Sequence, residues 1–169
     1  MLKVLMPVDG SDNSLQAVRH VLNRYFDDSR MEIHLLHVRR PFSMHVAKFS
    51  SNTSREHYHR EMAGRALQPS RKLLNRHHAP YAVHIELGDK AKTIDRLAQR
   101  LHVDEIVMGA SRRNSLTRLL EDSVTNRVLQ IVHVPVKLIA GMEVSKLEKY
   151  GVPTAGGTAL AALLVAAVD

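Results

Sequence analysis

The sequence contains no cysteine and no tryptophan, and aromatic residues make up only 4% of its 169 residues. The absence of cysteine excludes disulfide bonds, thiolate metal sites and cysteine nucleophiles. The apolar stretch from Ala159 to Val168 is too short to span a bilayer, which needs about twenty residues, and the first residues do not resemble a signal peptide. We therefore expect a cytoplasmic protein without membrane attachment.

The sequence has a net charge of +7, but its lysines and arginines are dispersed along the chain. A positive charge is compatible with polyanion binding. The sequence lacks the aromatic residues that a single-strand nucleic-acid platform interleaves with its basic residues, so we expect no specific nucleic-acid partner. Strongly salt-dependent retention on DNA or RNA would indicate the opposite.

Histidine is abundant, with eleven residues, yet its spacing does not indicate a metal site. The closest pairs are His57-x-His59 and His77-His78, and neither has the helical i, i+4 spacing with a carboxylate that zinc proteases use. We predict that these pairs are exposed residues on a helix surface. His34 and His37 are predicted to be strand residues at the sheet surface and not catalytic bases.

Apolar runs that suit buried strands alternate with segments of helical periodicity, which predicts a doubly wound α/β domain with five strands and four helices. Ser11 or Asp12 is expected to cap the first helix, and Asp122 with Ser123 to open the last. The predicted strands are Leu2–Val8, Met31–Val38, Ala82–Leu87, residues 104–108 and Val134–Ile139.

A long helix is predicted from about Thr53 to His77, with Pro69 inside it. Proline removes one helical hydrogen bond and clashes with the preceding turn, so we expect a kink or an interruption near Gln68. The predicted domain comprises residues 1–140. Residues 141–169 form a C-terminal extension, which we expect to be a packed helix or a partly disordered tail.

The loop after Met108 is the first place to expect a ligand, because open parallel sheets bind ligands at the carboxyl ends of their strands. Known nucleotide and nucleophile motifs are absent there and elsewhere. The chain has no Walker A sequence, and Asp9-Gly10-Ser11-Asp12-Asn13-Ser14 stands where G-x-G-x-x-G would follow the first strand. Arg113 replaces the closing glycine that a serine nucleophile elbow would need after Gly109.

Several short motifs occur in the order and spacing of the universal stress protein family. They are Val4-Leu5-Met6-Pro7-Val8-Asp9-Gly10-Ser11 with Ser14, Leu35-Leu36-His37-Val38, Gly88-Asp89 before Ile94, Val107-Met108-Gly109, Ser123-Val124 with Val128, and Val134-Pro135-Val136. Over residues 2–139 the chain resembles this family in its single-domain, UspA-like form. The resemblance leaves the C-terminal extension unexplained.

The resemblance implies an open parallel sheet in the order 3-2-1-4-5 with helices on both faces, as in the adenine nucleotide alpha hydrolase-like fold. It also implies a homodimer formed through the last strand. We expect Val134, Val136 and Leu138 to meet their counterparts there, since a bare edge strand invites association. The apolar tail is an alternative cover for the same edge.

In one branch of the family, ATP lies across the carboxyl ends of strands 1, 2 and 4. By resemblance, Asp9 contacts the adenosine end, Val38 offers backbone groups to the base, and the chain from Gly109 onward holds the phosphates. Mg²⁺ accompanies ATP, with Asp9 and Ser123 as candidate ligands. The candidate binding residues are Pro7, Val8, Asp9, Val38, Met108, Gly109, Arg112, Arg113, Asp122, Ser123 and Val124.

The phosphate end departs from the family signature, which is glycine, two residues, glycine, nine residues, then glycine and serine or threonine. Counted from Gly109, Arg112 and Asp122 replace the second and third glycines. Glycine permits close approach of backbone to phosphate, and an Asp122 carboxylate would repel phosphate. Asp122 is alternatively a helix cap. Arg112, Arg113 and Arg118 are either a solvated basic loop or an altered anion site.

Two classes of function remain open on the sequence. The first is a non-enzymatic stress-response protein that binds an adenine nucleotide, or that has lost the nucleotide and acts as a dimeric interaction module. The second is a weak ATP hydrolase or phosphotransferase, for which the sequence offers no clear group to position an attacking water.

Overall fold

The computed structural model describes residues 1–41, 52–110 and 124–141. Residues 42–51, 111–123 and 142–169 lie outside the described residues. The predictions for Arg112, Arg113, Arg118, Asp122 and Ser123, and for the C-terminal extension beyond Gly141, fall in these segments.

The described chain forms one sheet of five parallel strands in the order β3-β2-β1-β4-β5. Strand order and direction therefore confirm the predicted doubly wound architecture. The direction of growth reverses between β1 and β4, which is the switch point at which such sheets bind ligands. The strands are β1 Leu2–Pro7, β2 Met31–Arg39, β3 Tyr81–Leu87, β4 Glu105–Ala110 and β5 Val136–Ala140.

The described residues contain four helices, which cover both faces of the sheet. They are α1 Asp12–Asp27, α2 Asn52–Arg76, α3 Lys90–Leu101 and α4 Val124–Ile131. One apolar core joins α1 and α2 to the sheet through residues such as Val18 and Leu67, and the other joins α3 and α4 through Leu97 and Val128. No helix in the described part of the chain is both long and apolar enough to cross a membrane.

Helix α2 runs through Pro69 without interruption, so the predicted break is not found. The side chains of Leu67 and Leu74, on either side of the proline, are fully buried in the core. Burying two leucine side chains contributes on the order of 1.5 to 3 kcal/mol each, which is enough to offset the cost of about 3 kcal/mol for a proline within a helix. Tertiary packing has therefore outweighed the local preference.

Strand β5 begins at Val136, two residues later than predicted. Val134 and Val136 are partly buried and pack against the α3 and α4 core, whereas Leu138 is 42% exposed. On α4, the side chain of Leu129 is exposed. Within the described chain β5 pairs with β4 alone, so it is an edge strand.

A buried carboxylate connects this edge to the rest of the domain. Glu105, at the start of β4, is paired with Arg24 from α1 and with Lys137 from β5, whose Nζ lies 3.1 Å from Glu105 Oε2. Burial acts to raise the pKa of Glu105, but the two cations outweigh it and hold the pKa below its usual value. The ionised carboxylate therefore joins α1, β4 and β5.

His34 is buried and does not lie at the sheet surface as predicted. Its Nδ1 lies 3.1 Å from Nε2 of His84 on the neighbouring strand β3, and Glu32 Oε1 lies 3.1 Å from its Nε2. His37 is partly buried and its Nδ1 lies 2.9 Å from the carbonyl oxygen of Val8. These histidines are structural contacts within the sheet.

We expect the stability of the fold to decrease as the pH is lowered from about 7.5 to 5.5, the range around the ordinary histidine pKa. Burial, then the neighbouring His34 and Arg100, lower the pKa of His84. Burial also lowers the pKa of His20. Below the ordinary pKa the unfolded chain is protonated at these histidines more readily than the folded chain. Their contribution to the free energy of unfolding is therefore complete above the ordinary histidine pKa and is lost below it.

Melting temperatures measured at a series of pH values and constant ionic strength would test this expectation. His84→Gln should reduce the dependence on pH, whereas His57→Gln, at an exposed position on α2, should leave it unchanged. Equal curves for the wild type and His84→Gln would contradict the assignment.

Candidate functional site

The carboxyl ends of β1, β2 and β4 surround a cleft at the switch point of the sheet. The first turns of α1, α3 and α4 complete its described walls, and the space between them measures about 640 Å³, part of it open to solvent. Residues 111–123, which join β4 to α4, are outside the described chain, so this volume refers to the described walls only. The lining residues are Pro7, Val8, Asp9, Ser11, Asn13, Ser14, Leu36, Val38, Lys90, Met108, Gly109, Val124 and Thr125.

A tight turn between β1 and α1 places Asp9 in this cleft. Gly10 has a φ of +85°, a conformation that side-chain-bearing residues rarely adopt, and its Cα faces the backbone of Ala66 in α2. Asp9 Oδ1 accepts hydrogen bonds from the backbone nitrogen of Ser11 at 3.0 Å and from its hydroxyl at 2.6 Å. Ser11 Oγ in turn accepts from the nitrogen of Ser14 and caps α1. The Asp9 carboxylate is therefore held in one orientation before any ligand arrives.

The turn also keeps Asp9 ionised. Partial burial acts to raise the pKa of Asp9, but the hydrogen bonds from Ser11 and Ser14 and the positive charge of Lys90 outweigh it, so the pKa lies below its usual value. A carboxylate in this state only accepts hydrogen bonds. Asp9 is thus suited to bind hydroxyl or amino groups of a ligand and is unsuited to donate a proton.

The floor of the cleft is apolar. Leu36 and Met108 are buried beneath it, as are the side chains of Val8 and Val38. An apolar floor with a few oriented polar groups at its rim is typical of small-molecule sites.

Backbone groups of β2 face the cleft beyond the end of β1. Leu36 directs its carbonyl toward β1, where it accepts from the nitrogen of Val8 at 2.8 Å, and Arg39 directs its carbonyl away, to Gly88 near β3. Because strand residues alternate in direction, Val38 points the same way as Leu36. Strand β1 has already ended at Pro7, so the amide and carbonyl of Val38 face the space of the cleft.

Helix packing explains why residue 109 is a glycine. A Cβ atom at Gly109 would overlap the carbonyl group of Asn13 and lie 2.7 Å from the nitrogen of Ser14. The first turn of α1 therefore packs directly against the end of β4. The contact between Gly109 and phosphate that the family resemblance implies stays a prediction.

Helix α3 brings a lysine to the cleft. Asp89 caps α3 by accepting from the nitrogen of Lys92 at 3.1 Å, and its Oδ2 also binds Arg127 of α4 at 2.9 Å. Lys90, the next residue, lines the cleft. The ion pair between Asp89 and Arg127 thus connects the two helices on this side of the site.

All of the described residues predicted for the site lie together. Pro7, Val8, Asp9, Val38, Met108, Gly109 and Val124 all line the cleft, whereas Arg112, Arg113, Asp122 and Ser123 are outside the described residues. The prediction missed Lys90 and Thr125 among others. The sheet order contained a signal for Lys90, because the crossover from β3 to β4 must carry the start of α3 past the ends of β2 and β1.

A family model described as the universal stress protein family matches residues 1–139. The chain belongs to the universal stress protein family. Among curated relatives, "Universal stress protein MJ0531" of Methanocaldococcus jannaschii is 31% identical over 139 residues, which cover 81% of each chain. This universal stress protein domain therefore accounts for the described sheet.

Solved structures share the fold. The hypothetical protein MJ0577 superposes with a TM-score of 0.65 at 26% identity, covering 83% of this chain and 96% of its own. A universal stress protein from Arabidopsis thaliana with AMP bound gives 0.60 at 18% identity, over 85% of this chain and 94% of that one. A universal stress protein in complex with cAMP gives 0.62 at 20% identity, over 83% and 98%. Some members of this fold therefore bind adenine nucleotides.

Proposed function

We propose that this universal stress protein is a non-enzymatic stress-response protein that binds an adenine nucleotide in the cleft at the carboxyl ends of β1, β2 and β4. The observation that carries the proposal is the oriented, ionised carboxylate of Asp9 beside the apolar floor at the switch point. The hydroxyl and amino groups of adenosine can donate hydrogen bonds to such a carboxylate. The solved structures with AMP and cAMP support the choice of an adenine nucleotide.

The described walls suit the adenosine half of the ligand. A planar base can pack on the floor formed by Leu36, Val38 and Met108 while its polar edge meets the backbone groups of Val38. For ATP, the phosphates would extend toward residues 111–123, where Arg112 and Arg113 are the proposed anion ligands. Mg²⁺ would then be held mainly by the phosphates, with few protein ligands.

A binding role is favoured over turnover. Among the described residues that line the cleft, Asp9 is the only carboxylate, and its Oδ1 already accepts two hydrogen bonds from Ser11. A hydrolase needs a group that positions the attacking water, and a carboxylate fixed in a turn is poorly suited to that task. Release of phosphate from Mg·ATP that is abolished by Asp9→Asn would contradict a purely binding role.

Asp9→Asn is expected to weaken nucleotide binding at least about tenfold, the loss that corresponds to one charge-assisted hydrogen bond. Asparagine can still accept from Ser11 and keep the turn, so the change removes the charge and leaves the shape. Calorimetric titration of AMP and ATP into nucleotide-stripped protein, with and without Mg²⁺, would measure the effect. Mass spectrometry would identify any ligand that co-purifies.

Asp12→Asn provides a matched control, because Asp12 is exposed in the first turn of α1 and does not line the cleft. Its affinity should equal that of the wild type. Wild-type protein that binds no adenine nucleotide would refute the proposal, and function should then be sought at the dimer surface.

We further propose that residues 1–140 act as one domain with 141–169 as an extension, and that the protein is a homodimer joined through β5. In the described chain β5 has one neighbour, and Leu138 exposes 42% of its surface along it. Light scattering at micromolar concentration should give twice the mass of the chain, and Leu138→Lys should shift it toward the monomer. A wild-type monomer would refute the dimer.

A further inference from the structure

Lys90 supplies positive charge to the described walls of the cleft. It is the first residue of α3, its side chain is partly buried, and it lines the same space as Asp9. The positive charge of Lys90 interacts with Asp9, since it contributes to the lowered pKa of that carboxylate. Among the described lining residues, Lys90 is the only cation and Asp9 the only anion.

Within the described part of the chain, the neighbouring cations are paired with carboxylates, whereas Lys90 has no such partner. Arg127 binds Asp89 at 2.9 Å and Arg100 binds Glu86 at 2.7 Å. With the other described residues, the ammonium of Lys90 forms neither a hydrogen bond nor an ion pair. An ammonium that lines the cleft without such a partner is available to an anion that enters the cleft, which would gain a charge-assisted contact.

A nucleotide has a phosphate that can pair with the ammonium of Lys90, whereas the corresponding nucleoside has none. Asp9 can accept hydrogen bonds from the adenosine part of either ligand, but only a phosphate can neutralise the charge of Lys90. We infer that Lys90 binds the ligand phosphate next to the ribose and thereby selects phosphorylated adenine nucleosides over uncharged ones, whereas Arg112 and Arg113 are proposed for the phosphates beyond it. The inference rests on the proposed function, because it names the ligand class of the same cleft.

Lys90 belongs to a different part of the chain from the segment 111–123. Lys90 starts the helix that follows β3, whereas the glycine signature implied by the family follows β4. Arg112 and Asp122 replace two glycines of that signature. A phosphate held from α3 does not need those glycines.

The experiment compares AMP with adenosine, which differ only by the phosphate, on the full chain. Titration calorimetry at fixed salt would be performed on the wild type, Lys90→Ala, Lys90→Arg and Lys92→Ala. Lys92 is a matched control, because it lies in the same turn of α3 but is exposed and does not line the cleft. Melting temperatures would show that each variant is folded.

We expect the wild type to bind AMP at least about tenfold more tightly than adenosine, the gain of one charge-assisted hydrogen bond. Lys90→Ala should lose this preference and keep its affinity for adenosine. Lys90→Arg should retain most of it, and Lys92→Ala should match the wild type.

Four results would overturn the inference, and they are distinguishable. An unchanged preference in Lys90→Ala, or an equal loss in Lys92→Ala, would refute the role of Lys90 and leave nucleotide binding intact. Equal wild-type affinity for AMP and adenosine would refute phosphate selection alone. Binding of neither ligand by the wild type would refute the proposed function together with the inference.

Discussion

Replacing Gly109 by alanine should destabilise the protein by about 3 kcal/mol or more, at the upper end of the cost of overpacking a core. The new Cβ would overlap the carbonyl group of Asn13 and crowd the nitrogen of Ser14. Both obstacles are backbone atoms within the first turn of α1, so no change of rotamer can relieve the overlap. The helix would have to move away from β4.

Two other glycines provide matched controls. A Cβ at Gly141 would overlap Oδ1 of Asn13, which is the end of a side chain that can rotate away, so Gly141→Ala should cost less than Gly109→Ala. A Cβ at Gly64, exposed in α2, would meet nothing within 4 Å. Gly64→Ala should therefore stabilise the helix by about 0.5 to 1 kcal/mol.

Urea unfolding followed by circular dichroism would give the three free energies of unfolding. Equal values for Gly109→Ala and Gly141→Ala would contradict the role assigned to the backbone of Asn13. Any loss of nucleotide affinity in Gly109→Ala would have to be corrected for the unfolded fraction before it is attributed to a phosphate contact.

Leu35→Ala and Leu36→Ala should each destabilise the fold by about 2 to 5 kcal/mol, the usual cost of truncating a buried leucine. Both side chains are fully buried in β2. They point to opposite faces of the sheet, Leu35 into the core with α1 and α2 and Leu36 into the core with α3 and α4. The two changes are therefore matched in composition and burial.

The pair separates stability from binding. Leu36 lines the cleft and Leu35 does not, so only Leu36→Ala should weaken nucleotide binding under conditions in which both variants are folded. Urea titration and calorimetry on the same samples would measure both quantities. Equal loss of affinity in the two variants would indicate a general loosening of the sheet and would contradict the assignment of Leu36 to the floor.

The strands and helices could be predicted from the sequence because the apolar residues of each follow a pattern typical of its type. The strand order was supplied by the family resemblance, since periodicity alone does not determine which strands are neighbours. Pro69 shows the limit of local rules, because the burial of Leu67 and Leu74 maintains α2 across it.

Contacts between parts of the chain that are distant in sequence could not be predicted from the sequence. His34 was predicted to lie at the sheet surface, but it is buried, and His84, fifty residues away, lies against its ring. Gly109 indicated a close approach, and only the structure identifies Asn13 as the group that approaches. Asp9, by contrast, was predicted for the site from the family resemblance, and the turn that holds it is formed by adjacent residues.

The place of Asn13 between two glycines affects how this sequence can change over generations. Its side chain occupies the space beside Gly141, so a larger residue at position 141 becomes acceptable once position 13 carries a smaller one. Its backbone occupies the space beside Gly109, and no substitution at position 13 removes a backbone. Positions 13 and 141 are therefore free to vary as a pair, while position 109 is restricted to glycine whether or not a nucleotide is bound.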